Sequence, residues 1–199
     1  FYGIKLLSTK DGLYTNGLYG FMLILQKLRE ELSPDGIVAA FDLHHPTFRH
    51  QEFAEYKAGR KGMPDELRQQ VPILKELLDF LGCHVVEKEG YEADDILGTI
   101  SAAACRQNAE CVIATGDRDT LQLVNPCVTV MLAATKFGKA ETIVYDTAAI
   151  REKYGLSPEQ LIDLKALMGD QSDNIPGVPG IGEKTALDLM QKYGSLDYI

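Results

Sequence analysis

An α/β fold, with a mostly parallel central sheet flanked by helices, is predicted for this chain from three observations. Up to residue 115, short apolar runs alternate with longer stretches of helical periodicity, which is the signature of βα repetition. Acidic residues recur where the apolar runs end. Beyond Asp146 the pattern turns wholly helical and is broken by Gly/Pro turns, so a helical appendage follows the sheet. The expected division is a core over 1–146 and a helical subdomain over 147–199.

The elements follow in order. Leu18, Phe21, Met22, Leu25, Leu28 and Leu32 recur at helical spacing, giving a helix from about 17 to 32 that Pro34 to Gly36 stops. Ile37 to Phe41 reads as a buried strand. A helix from about 64 to 81 should kink at Pro72, which lacks a donor and crowds the preceding turn. Then come a strand at Cys83 to Val86, a helix from about 92 to 107 and a strand at Cys111 to Thr115. A short helix at Arg118 to Leu123 precedes strands at Val128 to Leu132 and Glu141 to Tyr145. Helices at about 147–154, 158–168 and 183–193 complete the chain.

With 199 residues and 45% hydrophobic content the chain can bury a full core. Its apolar runs are too short for a membrane helix, so a soluble, cytoplasmic protein with no membrane partner is expected. Cys83, Cys105, Cys111 and Cys127 show no C-x-x-C or zinc spacing and are expected as reduced, buried thiols. His44, His45 and His50 crowd one segment without helical pairing, which suits surface or phosphate-contacting groups better than a metal site. A net charge of −9 argues against unaided binding to nucleic acid, unless cations held by the acids offset part of it.

The acids fall where a parallel sheet places its ligands, outside the carboxyl ends of the strands. Asp42 ends one strand, Glu92, Asp94 and Asp95 open the helix after another, and Asp117 and Asp119 follow a third. Asp170 and Asp173 arrive from the helical part. Each alone reads as well as a helix cap or a solvated first-turn charge. Together, such like charges call for a hard cation, Mg²⁺ first and Mn²⁺ as its substitute. Eight acids exceed what one ion needs, so two positions are expected, with Asp117 or Asp119 near both.

Over 47–68, Arg49, Lys57, Arg60 and Lys61 interleave with Phe48, Phe53 and Tyr56. On a continuous helix Phe53, Lys57 and Lys61 share one face, a surface for a single strand, although a solvated amphipathic helix reads equally well. In GDQSDNIPGVPGIGEKTA, residues 169–186, Gly177, Gly180 and Gly182 bare the backbone ahead of a helix N-terminus, a device for holding phosphate. It is not a P-loop, because Glu183 separates Gly182 from Lys184 and no strand precedes the glycines.

FD at 41–42, TFRH and YKAGR within 47–60, GYEADD at 90–95, TGDRDTLQLV at 115–124 and LMGDQSDNIPGVPGIGEKTA at 167–186 resemble, in order and over nearly the whole chain, the 5′-nuclease domain of bacterial DNA polymerase I in the flap endonuclease family. The resemblance implies a nuclease acting on 5′-flap, nicked or branched DNA and leaving 5′-phosphates, with a helical arch and a helix-hairpin-helix-like C-terminal appendage. It places Asp42, Glu92, Asp94, Asp95, Asp117, Asp119, Asp170 and Asp173 at two Mg²⁺ ions, and Lys57 and Arg60 on the arch in catalytic roles. Arg49, Tyr56, Lys61, Gly177, Gly180, Gly182, Lys184 and Thr185 fall at DNA, with a K⁺ ion at the 177–184 loop. It also implies a monomer, a polymerase domain in the same gene product, and a strand with a further metal-binding Asp ahead of Phe1-Tyr2-Gly3. A branched-DNA binding module with an incomplete metal site shares every binding feature. A haloacid dehalogenase-like phosphatase fits less well, because Asp42 is followed by Leu43 and His44 rather than by a D-x-D motif.

Overall fold

A computed structural model of the chain describes residues 3, 5–43, 45–136 and 139–199, so His44 lies outside the described residues. In chain order the elements are α1 (Asn16–Leu32), β1 (Val38–Ala40), α2 (Phe48–Glu52), α3 (Asp65–Arg68), α4 (Gln70–Phe80), β2 (His84–Val86) and α5 (Ala93–Arg106). They continue with β3 (Cys111–Thr115), a 3₁₀ turn at Arg118–Leu123, β4 (Val128–Lys136), β5 (Lys139–Tyr145), α6 (Thr147–Tyr154) and α7 (Gln160–Met168). The last are β6 (Gly169–Asp170), β7 (Ile175–Pro176), α8 (Glu183–Tyr193) and a 3₁₀ turn at Leu196–Tyr198.

The fold is α/β, and the chain divides into two compact units. The first holds Phe1–Leu43 and Lys61–Lys88, the second His44–Arg60 and Glu89–Ile199. In the first, α1 and α4 bury Leu25, Leu74, Leu78 and Cys83, and β1 and β2 pair in parallel, Val38 opposite His84. Buried Gln70 accepts the N–H of Leu18 and donates to Asn16 Oδ1, which ties the start of α4 to the start of α1. The expected 64–81 helix is interrupted at Gln69 rather than bent at Pro72. Pro72 has no N–H for the carbonyl of Arg68 and its ring crowds it, so α3 ends at Arg68 and Pro72 sits in the first turn of α4.

In the second unit, β3 and β4 run parallel and β4 and β5 antiparallel. The mostly parallel character holds for β1–β2 and β3–β4, but the ladders form separate sheets among the described residues rather than one central sheet. Periodicity reports which segments are extended and says nothing of which strand each will pair with. One core of fourteen buried residues runs from Val130 and Leu132 of the sheet to Ile150, Leu164 and Met190 of α6, α7 and α8. The helical segment after residue 146 therefore shares the interior of the sheet.

Cys105 and Cys127 are joined in a disulfide, with Cα atoms 5.9 Å apart, which corrects the expectation of four free thiols. The end of α5 and the residue ahead of β4 meet through tertiary packing, which their separation of 22 residues did not reveal. Cys83 and Cys111 are free thiols.

Candidate active site

Gly169 and Gly177 build the acidic loop. A Cβ on Gly169 would lie 2.3 Å from the nitrogen of Gly177, and one on Gly177 would lie 2.3 Å from the carbonyl carbon of Met168. Only two glycines let the backbones pass this closely, and Gly169 also holds φ at +76°. Between them β6 and β7 form a two-rung hairpin, Gly169 opposite Pro176 and Asp170 opposite Ile175. Gly177 is therefore required by close packing, whereas Gly180 and Gly182 face open space.

Asp170 Oδ1 accepts the N–H and hydroxyl of Ser172 at 2.8 and 2.7 Å, and the N–H of Asp173 at 3.3 Å. Carboxylate oxygens of Asp119, Asp170 and Asp173 lie within 4.8 Å of one another. Asp117 caps the 3₁₀ turn by accepting the N–H of Asp119 at 2.9 Å. Lys165, on α7, places its ammonium 2.7 Å from Asp119 Oδ1 and 2.6 Å from Asp170 Oδ2.

The segment over 47–68 is not one helix. It leaves α2 at Glu52, and Phe53 is extended. Lys57 then takes φ +55° and its N–H donates to Asp173 O at 2.9 Å, so the helical face expected for Phe53, Lys57 and Lys61 does not form. The turn instead folds its polar groups onto the acids. Buried Tyr56 sets its hydroxyl 3.0 Å from Glu92 Oε2 and 2.9 Å from Asp173 Oδ2. Lys57 Nζ donates to Glu92 Oε2 at 2.8 Å, and Arg60 pairs with Asp173. Arg49 lies back from this group, in a two-bond pair with Asp95.

The electrostatics follow from these contacts. Burial raises Asp170, but the bonds from Lys165 and Ser172 outweigh it and hold the carboxyl well below the usual range. At Asp119 burial dominates, and with repulsion from Asp117 and Asp170 it overcomes the pull of Lys165 and pushes the carboxyl up. Burial lowers Lys165, but its two carboxylates outweigh that and raise it. One ammonium shared by two acids satisfies Asp170 more fully than Asp119. The Tyr56 phenol is pushed far up by burial and by the charges of Asp173 and Glu92, so it stays protonated.

Of the other expected residues, Asp94 lies in the first turn of α5, and exposed Lys184 and Thr185 lie in the first turn of α8. Asp42, after β1, and Lys61 belong to the first unit. Sequence reasoning missed Lys165 and Ser172. A cation immediately ahead of the apolar run Ala166-Leu167-Met168, five residues before Asp170, was the signal for Lys165.

Asp119, Asp170 and Asp173 thus gather beside a glycine-bounded loop and a basic turn. The family pattern described as the N-terminal resolvase-like domain of 5′-3′ exonucleases matches residues 1–155, and that of their C-terminal SAM fold matches 156–199. The chain belongs to the 5′-3′ exonuclease family. It is 48% identical over 199 residues to DNA polymerase I of Bacillus caldotenax, and 46% over 197 residues to that of Bacillus subtilis (strain 168). All of the chain matches the first and 99% the second, yet it spans 22% of the length of each. Among solved structures, T5 5′-exonuclease with bound zinc superposes with a TM-score of 0.74 at 24% identity, covering 90% of this chain and 68% of that one. The catalytic core of Rad2 in complex with DNA substrate gives 0.63 at 19% identity, covering 99% and 59%.

Proposed function

We propose that the chain is a structure-specific 5′ nuclease that hydrolyses phosphodiester bonds in 5′-flap, nicked or branched DNA and leaves 5′-phosphates. The convergence of Asp119, Asp170 and Asp173 beside the basic turn carries this reading. The donor set suits a hard divalent ion: all oxygens, mutually within 4.8 Å, with a cation, the Lys165 ammonium, already seated on two of them. Those three would hold one ion, and Glu92, Asp94 and Asp117 would complete a second position, with Mg²⁺ preferred and Mn²⁺ able to replace it. Bound there, such ions supply an acidified water and charge stabilisation for the phosphoryl oxygens.

The chain's own residues supply the rest. Lys57 reaches Glu92 and Asp173, and Arg60 reaches Asp173, on flexible stems, so both can turn to the phosphate as its charge grows. The Tyr56 hydroxyl spaces Glu92 from Asp173. Water attacks phosphorus, the bond to the 3′ oxygen breaks, and the phosphate stays on the 5′ end of the downstream strand. Bare backbone at Gly180 and Gly182, the open first turn of α8, Lys184 and Thr185 would hold the duplex backbone, with room for K⁺ at this loop. The same reading makes DNA the partner of a cytoplasmic, monomeric domain joined to a polymerase, as the lengths of the relatives suggest. Among the described residues no helix is long and apolar enough to cross a membrane.

The test pairs binding with single-turnover cleavage of a 5′-flap duplex in Mg²⁺ or Mn²⁺, for the unaltered chain and Asp170→Asn. Cleavage that falls by orders of magnitude in the variant while DNA affinity holds is expected. Full-rate cleavage by the variant, or none by the unaltered chain, refutes the reading.

A further inference from the structure

Family resemblance places Arg49 at DNA and Asp95 at a metal ion, but the structure commits both to each other. Arg49 donates from its two terminal nitrogens to Asp95 Oδ2 and Oδ1, each at 2.7 Å, in the two-bond fork that suits a guanidinium and a carboxylate. Asp95 Oδ2 also accepts the N–H of Glu92 at 2.9 Å, and the Glu92 side chain accepts the N–H of Asp95. This closes a capping box at the start of α5. On the other side of the pair, Thr47 and His50 form the box that starts α2, Phe48 donates its N–H to Gly90 O at 3.2 Å, and its ring meets that of Tyr91. The Arg49 guanidinium lies 4.6 Å over the Phe48 ring.

We propose that Arg49 and Asp95 are a positioning pair that locks the 47–60 segment to the first turn of α5, setting Glu92 opposite Tyr56 and Lys57 without touching DNA or metal. Its consequence for catalysis rests on the nuclease reading; the pairing itself does not. Two things need such a lock. Glu92 bears both the Tyr56 hydroxyl and the Lys57 ammonium, so a shift of its helix would part all three. Lys57 sits at φ +55°, a conformation held only where the surroundings dictate it. Each oxygen of Asp95 already accepts one or two N–H groups.

The experiment compares the unaltered chain with Arg49→Ala, Arg49→Lys, Asp95→Asn and the Arg49→Ala/Asp95→Asn double variant. It reads flap cleavage, Mn²⁺ binding by calorimetry without DNA, and the salt dependence of flap-DNA binding. Each single change should slow cleavage by about tenfold or more. The double variant should be no slower than the worse single, and Arg49→Lys, which keeps the charge and loses the fork, should follow Arg49→Ala. Mn²⁺ stoichiometry, and the slope of log affinity against log salt, should be unchanged, and any loss of Mn²⁺ affinity through a displaced Glu92 should be the same in Arg49→Ala and Asp95→Asn. A slope shallower by about 0.9 in Arg49→Ala would make Arg49 a phosphate contact and overturn the proposal. A drop in Mn²⁺ stoichiometry, or a loss of Mn²⁺ affinity, in Asp95→Asn that Arg49→Ala does not share would make Asp95 a ligand and do the same. If the unaltered chain binds neither Mn²⁺ nor DNA, the nuclease reading fails by itself, while thermal melts of the same proteins still judge the pair. Melting shifts that simply add in the double variant would dissolve it.

Discussion

Replacing Lys165 by Met should tighten divalent-ion binding while weakening the ion-free protein. The ammonium sits 2.7 Å from Asp119 and 2.6 Å from Asp170, two of the three acids that a divalent ion would use. A charge pair at about 4 Å and an effective dielectric of ~20 is worth about 4 kcal/mol before solvent screening. The Lys165 side chain is 39% exposed, which cuts the net value to roughly 1–2 kcal/mol. An ion entering these oxygens must displace that ammonium, so its removal should tighten Mn²⁺ binding by about 5- to 30-fold, at 1.4 kcal/mol per factor of ten. Without the ion, Asp119 and Asp170 lose their counter-charge and stability should drop by a similar ~1–2 kcal/mol, a deficit that saturating Mn²⁺ erases. Calorimetric titration and urea melts at several Mn²⁺ concentrations measure both sides. Equal or weaker Mn²⁺ binding in Lys165→Met, or a stability loss independent of the ion, would refute the competition.

Three further outcomes are expected. Lys184→Ala should weaken duplex binding and flatten its salt slope by about 0.9, while Lys57→Ala should slow single-turnover cleavage more than it weakens binding; equal behaviour would merge the two roles. Gly169→Ala forces a Cβ to 2.3 Å from the Gly177 nitrogen at φ +76° and should cost about 3 kcal/mol or more, whereas Gly180→Ala, at φ +85° in open space, should cost ~1 kcal/mol by urea melts. Asp170 and Asp95 are held below their ordinary value of 3.8, so their stabilisation is complete above that pH and is lost as pH falls through the folded values. In Lys165→Met the acid loss should be smaller and be complete at a higher pH, because Asp170 loses a main cause of its depression; identical profiles would contradict this.

The helices were legible because their apolar positions repeat over many turns: α1 and α8 lie within a residue of their expected bounds. Pro72 announced an interruption but not its place, since the clash falls on the carbonyl four residues earlier. The 47–60 turn was hidden because helical spacing of Phe53, Lys57 and Lys61 is a local signal, and the bond from Lys57 N–H to Asp173 that overrides it spans more than a hundred residues. Acids were legible by type and by their place after strands. Their partners were not, because whether Arg49 meets a phosphate or Asp95 depends on packing between segments far apart in sequence.

The two-rung hairpin between Gly169 and Gly177 sets when the acidic loop becomes ordered. Asp170 is held by its rung with Ile175 and by three donors from its own loop, so its orientation is fixed as the chain folds. An incoming ion then meets a finished socket and need not freeze a wandering loop, which leaves more of its binding energy expressed as affinity. The same stem leads through Val178, whose N–H donates to Leu167 O, into the bare turn before α8. Any pull on that turn would therefore pass to the stem that carries Asp170 and Asp173 rather than to Asp119, which sits on the separate 3₁₀ turn after β3.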